Sequence, residues 1–183
     1  MGITTIIKSA IGQYTVKRKA QNLIRQKRYY NFESAKSIGI IFDATNTDNY
    51  SGARFLSKYL NERKIKCNSL GFLKPHDISD ESSLSLLSGF SFFSEKDFNI
   101  FGNIKNPLVQ QFCKNQFNIL IDLHTKSNYF IEAIVALSDA SMKVGLKSVD
   151  KGYYDFIFEM NEPFLVEELI EQIKIYLNQI KTS

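Results

Sequence analysis

The chain has 183 residues, 44% of them apolar and 23% charged, a balance that excludes a disordered polyelectrolyte or a fibrous repeat and suffices for one ordinary domain. Its net charge of +4 is unevenly placed: residues 1–36 hold eight Lys or Arg against one acid, Glu33, netting +7, while residues 37–183 hold fifteen basic and eighteen acidic residues, netting −3. No apolar run approaches the ~20 residues of a membrane-spanning helix, and two distant cysteines, Cys67 and Cys113, make neither a disulfide framework nor a zinc site.

The N-terminus places its basic residues after a short apolar run, the reverse of a secretory signal. Gly2 is followed by Ile6 where N-myristoylation needs Ser or Thr. These features point to the cytoplasm. Ile3, Ile6, Ile7, Ala10, Ile11 and Tyr14 recur at helical spacing, and the segment predicts a helix over 3–28. From Lys17 onward the cations Lys17, Arg18, Lys19, Arg25, Lys27 and Arg28 surround the axis, with Leu23 and Ile24 the apolar exceptions. A helix polar nearly all round cannot pack its full girth, so this part is expected to reach away from the body. Residues 1–36 therefore read as a basic helical extension and 37–183 as the domain.

Ile38-Gly39-Ile40-Ile41-Phe42 is an apolar run of strand length ending at Asp43, as in strands buried on both faces. Thr45, Asn46, Thr47 and Asp48 offer helix caps. Tyr50, Ala53, Leu56 and Leu60 follow at helical spacing, and Ile65 to Leu73 reads as the next strand, completing a βαβ unit. Residues 74–105 are irregular, with Pro75, His76, Asp77 and a serine-rich run; His76 reads as a solvated loop residue. Within that stretch Gly89 to Phe93 reads as a short strand, and the aromatic segment 90–101 as core rather than contact surface. Asn106-Pro107 reads as a cap followed by proline at the first helical position. Phe117 to Leu123 is a second core strand, 127–138 a helix, Met142 to Leu146 and Asp155 to Met160 further strands. The last helix is expected from Pro163, with Val166, Leu169, Ile170, Ile173, Tyr176, Leu177 and Ile180 as its buried stripe. Strands alternating with helices imply a parallel sheet covered on both faces.

In such sheets ligands bind beyond the carboxyl ends of the strands. Two strands end in polar groups, one with Asp43, Thr45 and Asn46, the other with Asp122, His124 and Thr125. If those strands are neighbours, Asp43, Asp122 and His124 converge in one crevice, a set able to do acid–base work or hold a divalent cation weakly. Helix capping explains the same acids without chemistry. Glycine-rich nucleotide loops and a Gly-x-Ser-x-Gly turn are absent, and the residues call for no cofactor and no resident metal. The six cations, with Tyr14, Tyr29 and Tyr30 nearby, suit a phosphate backbone with occasional stacking, the arginines making bidentate contacts. The isoleucine stripe beside them also suits an anionic membrane surface, and a solvated surface helix fits as well.

Four segments carry a resemblance: Ser37 to Asn46, Ile119 to Leu123, Val135 to Ser138 with Lys143-Val144-Gly145, and Tyr153-Tyr154-Asp155. With the basic N-terminus they resemble, over nearly the whole chain, an uncharacterised protein family from Bacteroidota, which implies no reaction. Residues 118–145 also resemble part of one half of the heptosyltransferase-type glycosyltransferases, which implies a Rossmann-like fold; those enzymes need two such domains. The expectation is α/β: a single Rossmann-like three-layer domain with a mostly parallel sheet of five or six strands, preceded by a basic N-terminal helix. The leading functional expectation is a non-enzymatic protein docking on RNA, ribosomal RNA included. A small-ligand enzyme of sugar- or phosphate-transfer type and a peripheral membrane adaptor are the alternatives.

Overall fold

The computed structural model describes residues 3–74 and 89–180, with side chains from residue 12 onward. The strands are β1 (Ser37–Asp43), β2 (Lys66–Phe72), β3 (Phe90–Phe93), β4 (Ile119–Asp122), β5 (Met142–Leu146) and β6 (Phe156–Phe158). They form one six-stranded sheet in the order β3-β2-β1-β4-β5-β6, every pairing parallel. The helices are α1 (Ile3–Gln21), α2 (Thr47–Glu62), α3 (Pro107–Lys114), α4 (Tyr129–Leu137) and α5 (Val166–Gln179). This is a three-layer, Rossmann-like arrangement.

The local reasons are ordinary. In β1, Ile38, Ile40, Ile41 and Phe42 are all fully buried, because both faces of the strand are covered. The Asn46 side chain caps α2 by accepting from the amides of Asp48 and Asn49, and Asn128 caps α4 through Phe130 and Ile131. Asn106 caps α3, with Pro107 opening the helix. On one face, α2 and α5 cover Ile38, Ile40, Phe42, Ile121 and Val144. On the other, α1, α3 and α4 cover Ile41, Leu70 and Leu120. Each such buried side chain contributes about 1.5–3 kcal/mol. The last helix opens at Val166 rather than at Pro163, and Tyr176 on it is half exposed rather than buried. In the aromatic segment, Phe93 and Phe98 are core, while Ile100 and Phe101 face solvent. His76, Pro75, Asp77 and the serines up to Ser88 lie outside the described residues.

The N-terminal segment departs from expectation. Its helix ends at Gln21, not at residue 28, and an irregular stretch follows to Lys36. The helix does not reach away from the body but packs on α4. The docked stripe is Gly12, Val16 and Ala20, spaced four apart, with Val16 only 3% exposed, whereas Tyr14, placed on the apolar stripe by periodicity, is 68% exposed. Small residues let the helix approach closely: a Cβ on Gly12 would sit 2.7 Å from the Tyr129 hydroxyl. Three exposed cations, Lys17, Arg18 and Lys19, therefore accompany a narrow inward stripe that hydrophobic periodicity underrates.

Candidate functional site

Two places concentrate polar chemistry. The first is the basic arm. Lys17, Arg18, Lys19, Lys27 and Arg28 are exposed. Lys17, Arg18 and Arg28 form no ion pair among the described residues, and Lys19 bonds the neutral Asn103 side chain. The Arg28 guanidinium lies 5.3 Å from the Tyr30 ring centroid, a weak cation–π contact.

Arg25 does not belong with them. Its side chain is 9% exposed and its guanidinium donates to the Ala140 and Ser141 carbonyls at 3.1 and 3.0 Å and to Asp155 Oδ1 at 2.5 Å. Lys27 Nζ stands 3.2 Å from the same oxygen. The other carboxylate oxygen, Oδ2, accepts from the Lys143 amide at 2.9 Å. Asp155 thus ties the arm to β5 and to the entry of β6. Burial pushes its carboxyl up, but the Arg25 hydrogen bond and the Lys143 amide outweigh this and hold it below the usual value. Arg25 is a structural clamp, and its cation is consumed within the chain.

The second place is the crevice between β1 and β4. The order of strands reverses direction between them, which makes it the topological switch point of the sheet. Asp43 and Asp122 end these strands, which are neighbours, the condition on which the expected crevice depended, and the three side chains are engaged differently. Asp43 is taken by its own loop, Oδ1 accepting from Thr45 N at 2.9 Å and Thr45 Oγ1 at 2.6 Å, so its carboxylate reads as a turn-former. Asp122 and His124 do meet. His124 Nδ1 lies 2.6 Å from Asp122 Oδ1, which also accepts the His124 amide at 2.9 Å. Tyr154 donates its hydroxyl to Asp122 Oδ2 at 2.8 Å. Both Asp122 and His124 are buried, at 1% and 0% exposure.

This Tyr154–Asp122–His124 chain fixes the imidazole by its Nδ1 and leaves Nε2 buried with no partner among the described residues. Burial lowers the pKa of His124, but the neighbouring Asp122, with Glu132 and Asp43 behind it, prevails and holds it above its usual value. A cleft of about 510 Å³ opens on the same sheet edge, lined in part by Asn46, Thr125, Lys126 and Phe164. The pair therefore has the components of an acid–base group, with both side chains buried. Among the described residues no cluster of His, Cys, Asp and Glu is placed to hold a metal ion.

Sequence reasoning missed Tyr154 and Asp155 as partners. A signal existed: Gly145 sits inside a buried strand, and a Cβ there would overlap the Tyr154 ring. A strand glycine without a turn marks the close approach of something large. It also missed Lys143, buried in β5 with its ammonium donating to the Ala136 carbonyl at 3.3 Å.

A family model described as "Family of unknown function (DUF6913)" matches residues 8–180. The chain belongs to that family. The match runs through both the arm and the sheet, so the family is defined by the two together. No curated protein and no solved structure matches the chain. No helix among the described residues is long and apolar enough to cross a membrane.

Proposed function

We propose that this protein docks on RNA, ribosomal RNA being one such target, through Lys17, Arg18, Lys19, Lys27 and Arg28. The observation that carries this reading is that five of the six candidate cations stand exposed on a segment fixed to the domain, with Asp155 the one acid among the described residues that pairs with any of them. A stripe already held in place loses less conformational freedom on binding than a mobile arm would. Its energetics are those of counterion release.

Fluorescence anisotropy with a labelled RNA tests it. Five phosphate contacts give a log–log salt slope of about −3.5 on single strands, so affinity falls about 100-fold between 50 and 200 mM salt. The Lys17→Ala/Arg18→Ala/Lys19→Ala variant is expected to flatten that slope by about 2. Absence of RNA binding at low salt overturns the reading. So does capture by anionic vesicles that depends on the same three residues when RNA binding does not.

The orphaned His124 Nε2 favours a second reading, a small hydroxylated ligand bound at the switch point. A hydroxyl can donate to bare Nε2 or accept from its protonated form. Native mass spectrometry of the purified protein is expected to show a co-purifying small molecule that the His124→Phe variant lacks. A lone water filling the position in an experimental density map ends this reading.

A further inference from the structure

A cleft of about 490 Å³ lies in the seam between α1 and the body of the domain. Lys17 enters it from the arm and Lys151 from the turn after β5, and Gln13, Ser127, Glu132 and Tyr153 complete its polar lining. Neither lysine has an ion-pair partner among the described residues. Glu132 is the acid in this lining, and its Oε1 is already taken, accepting from Ser127 Oγ at 2.5 Å and the Asn128 amide at 3.1 Å. The cleft therefore offers two uncommitted cations around a carboxylate that is already bonded. Tyr153 supplies a half-buried ring, and burial, with the Glu132 charge, keeps its phenol protonated.

The volume is that of a small-molecule site. We propose that this cleft receives one unstacked nucleotide of a single-stranded RNA, its phosphate between Lys17 and Lys151 and its base against Tyr153. The inference rests on the RNA reading of the arm and adds a selectivity to it: the arm supplies sequence-independent charge, and the seam admits a base that no duplex can present. Stacking on an aromatic ring plus a phosphate contact is the usual way single strands are preferred.

The test compares full-length parent protein with Lys151→Ala, Tyr153→Leu and Tyr153→Phe, on a labelled unstructured 12-nucleotide RNA and on a blunt RNA hairpin. Lys151 is exposed on a turn, so its variant leaves the fold intact. The parent is expected to prefer the single strand by about 10-fold. Lys151→Ala and Tyr153→Leu are expected to lose most of that preference, and Tyr153→Phe to keep it. Equal affinity of the parent for both RNAs, or a Lys151→Ala loss of the same size on both, overturns the nucleotide site while leaving the arm reading standing. No binding of either RNA overturns both.

Discussion

Lys143 lies on β5 with its side chain buried at 3% residue exposure, and its ammonium has one carbonyl acceptor. Burial first, then the neighbouring Arg25 cation, push its pKa down from 10.5 to about 7, against the opposing pull of Asp155, Cys113 and Asp139. A depressed lysine pKa means the unfolded chain holds this proton where the folded chain has released it. Stability therefore rises with pH across the window from about 7 to 10.5 and is lowest, by about 5 kcal/mol in this contribution, at and below pH 7. Lys143→Met removes the titrating group while keeping the length of the side chain, at a cost of about 1 kcal/mol for the Ala136 carbonyl left without its donor. The variant is expected to be more stable than the parent at pH 7, and the gap to narrow by roughly 1.5–2 kcal/mol between pH 7 and 8.5. Urea unfolding followed by far-ultraviolet circular dichroism at several pH values measures it. The comparison must be of the difference between the two proteins. His124, whose pKa is raised, contributes stability below its unfolded value that fades as pH rises through its folded value, and so works against Lys143 in the parent. A gap that stays constant from pH 7 to 8.5, or a parent more stable than Lys143→Met at pH 7, refutes the reasoning.

Further outcomes follow from the arm. The Tyr129 hydroxyl is buried and without a hydrogen-bond partner among the described residues, so Tyr129→Phe is expected to be neutral or stabilising by about 1 kcal/mol. Gly12→Ala drives a methyl into that hydroxyl and is expected to cost about 1–3 kcal/mol, which the added Tyr129→Phe change relieves; thermal melts of the two single variants and the double variant decide it. Asp155→Ala leaves the Arg25 guanidinium buried with no carboxylate and is expected to cost about 3–5 kcal/mol, whereas the paired change Arg25→Met/Asp155→Leu costs much less. Limited proteolysis is expected to cut within residues 22–36 sooner in Asp155→Ala than in the parent.

What the sequence showed depended on whether the relevant force is local. The fold was legible because both-face burial writes itself into a strand: Ile38 to Phe42 and Ile119 to Ile121 can be little else, and the caps at Asn46, Asn106 and Asn128 are set by residues within three positions. The neighbouring of β1 and β4, which brings Asp122 to the switch point, was left open by the alternation of elements and is settled by the strand pairing. The docking of α1 was not legible. It depends on a stripe of Gly12, Val16 and Ala20 whose complement, Tyr129, lies more than a hundred residues away, and small residues carry little hydrophobic signal. Arg25 looked like its neighbours because nothing near it in the chain is acidic. Its partner, Asp155, lies 130 residues further on, and only the three-dimensional path of the arm across the start of β5 brings them together. Asp43 is engaged locally for the opposite reason: its Oδ1 accepts from the amide and hydroxyl of Thr45, two residues away.

The tripeptide Tyr153-Tyr154-Asp155 touches the arm, the seam cleft and the switch-point pair. Tyr153 lines the seam cleft beside Lys17 and Lys151. Tyr154 lies against Gly145 and donates to Asp122, whose other oxygen orients His124. Asp155 holds Arg25 and Lys27 of the arm. Three consecutive residues entering β6 thus contact the arm, the seam and the switch-point pair. A residue that served only to complete the sheet would need none of these polar commitments, since β6 pairs with β5 through backbone alone. If an RNA strand seats between Lys17 and Lys151 as proposed, it meets Tyr153, whose chain neighbours Tyr154 and Asp155 bond Asp122 and Arg25. On that proposal the His124 imidazole resonances are expected to respond to RNA in the parent and not in Tyr154→Phe, which lacks the hydroxyl bonded to Asp122; resonances that RNA leaves unmoved in the parent refute the link.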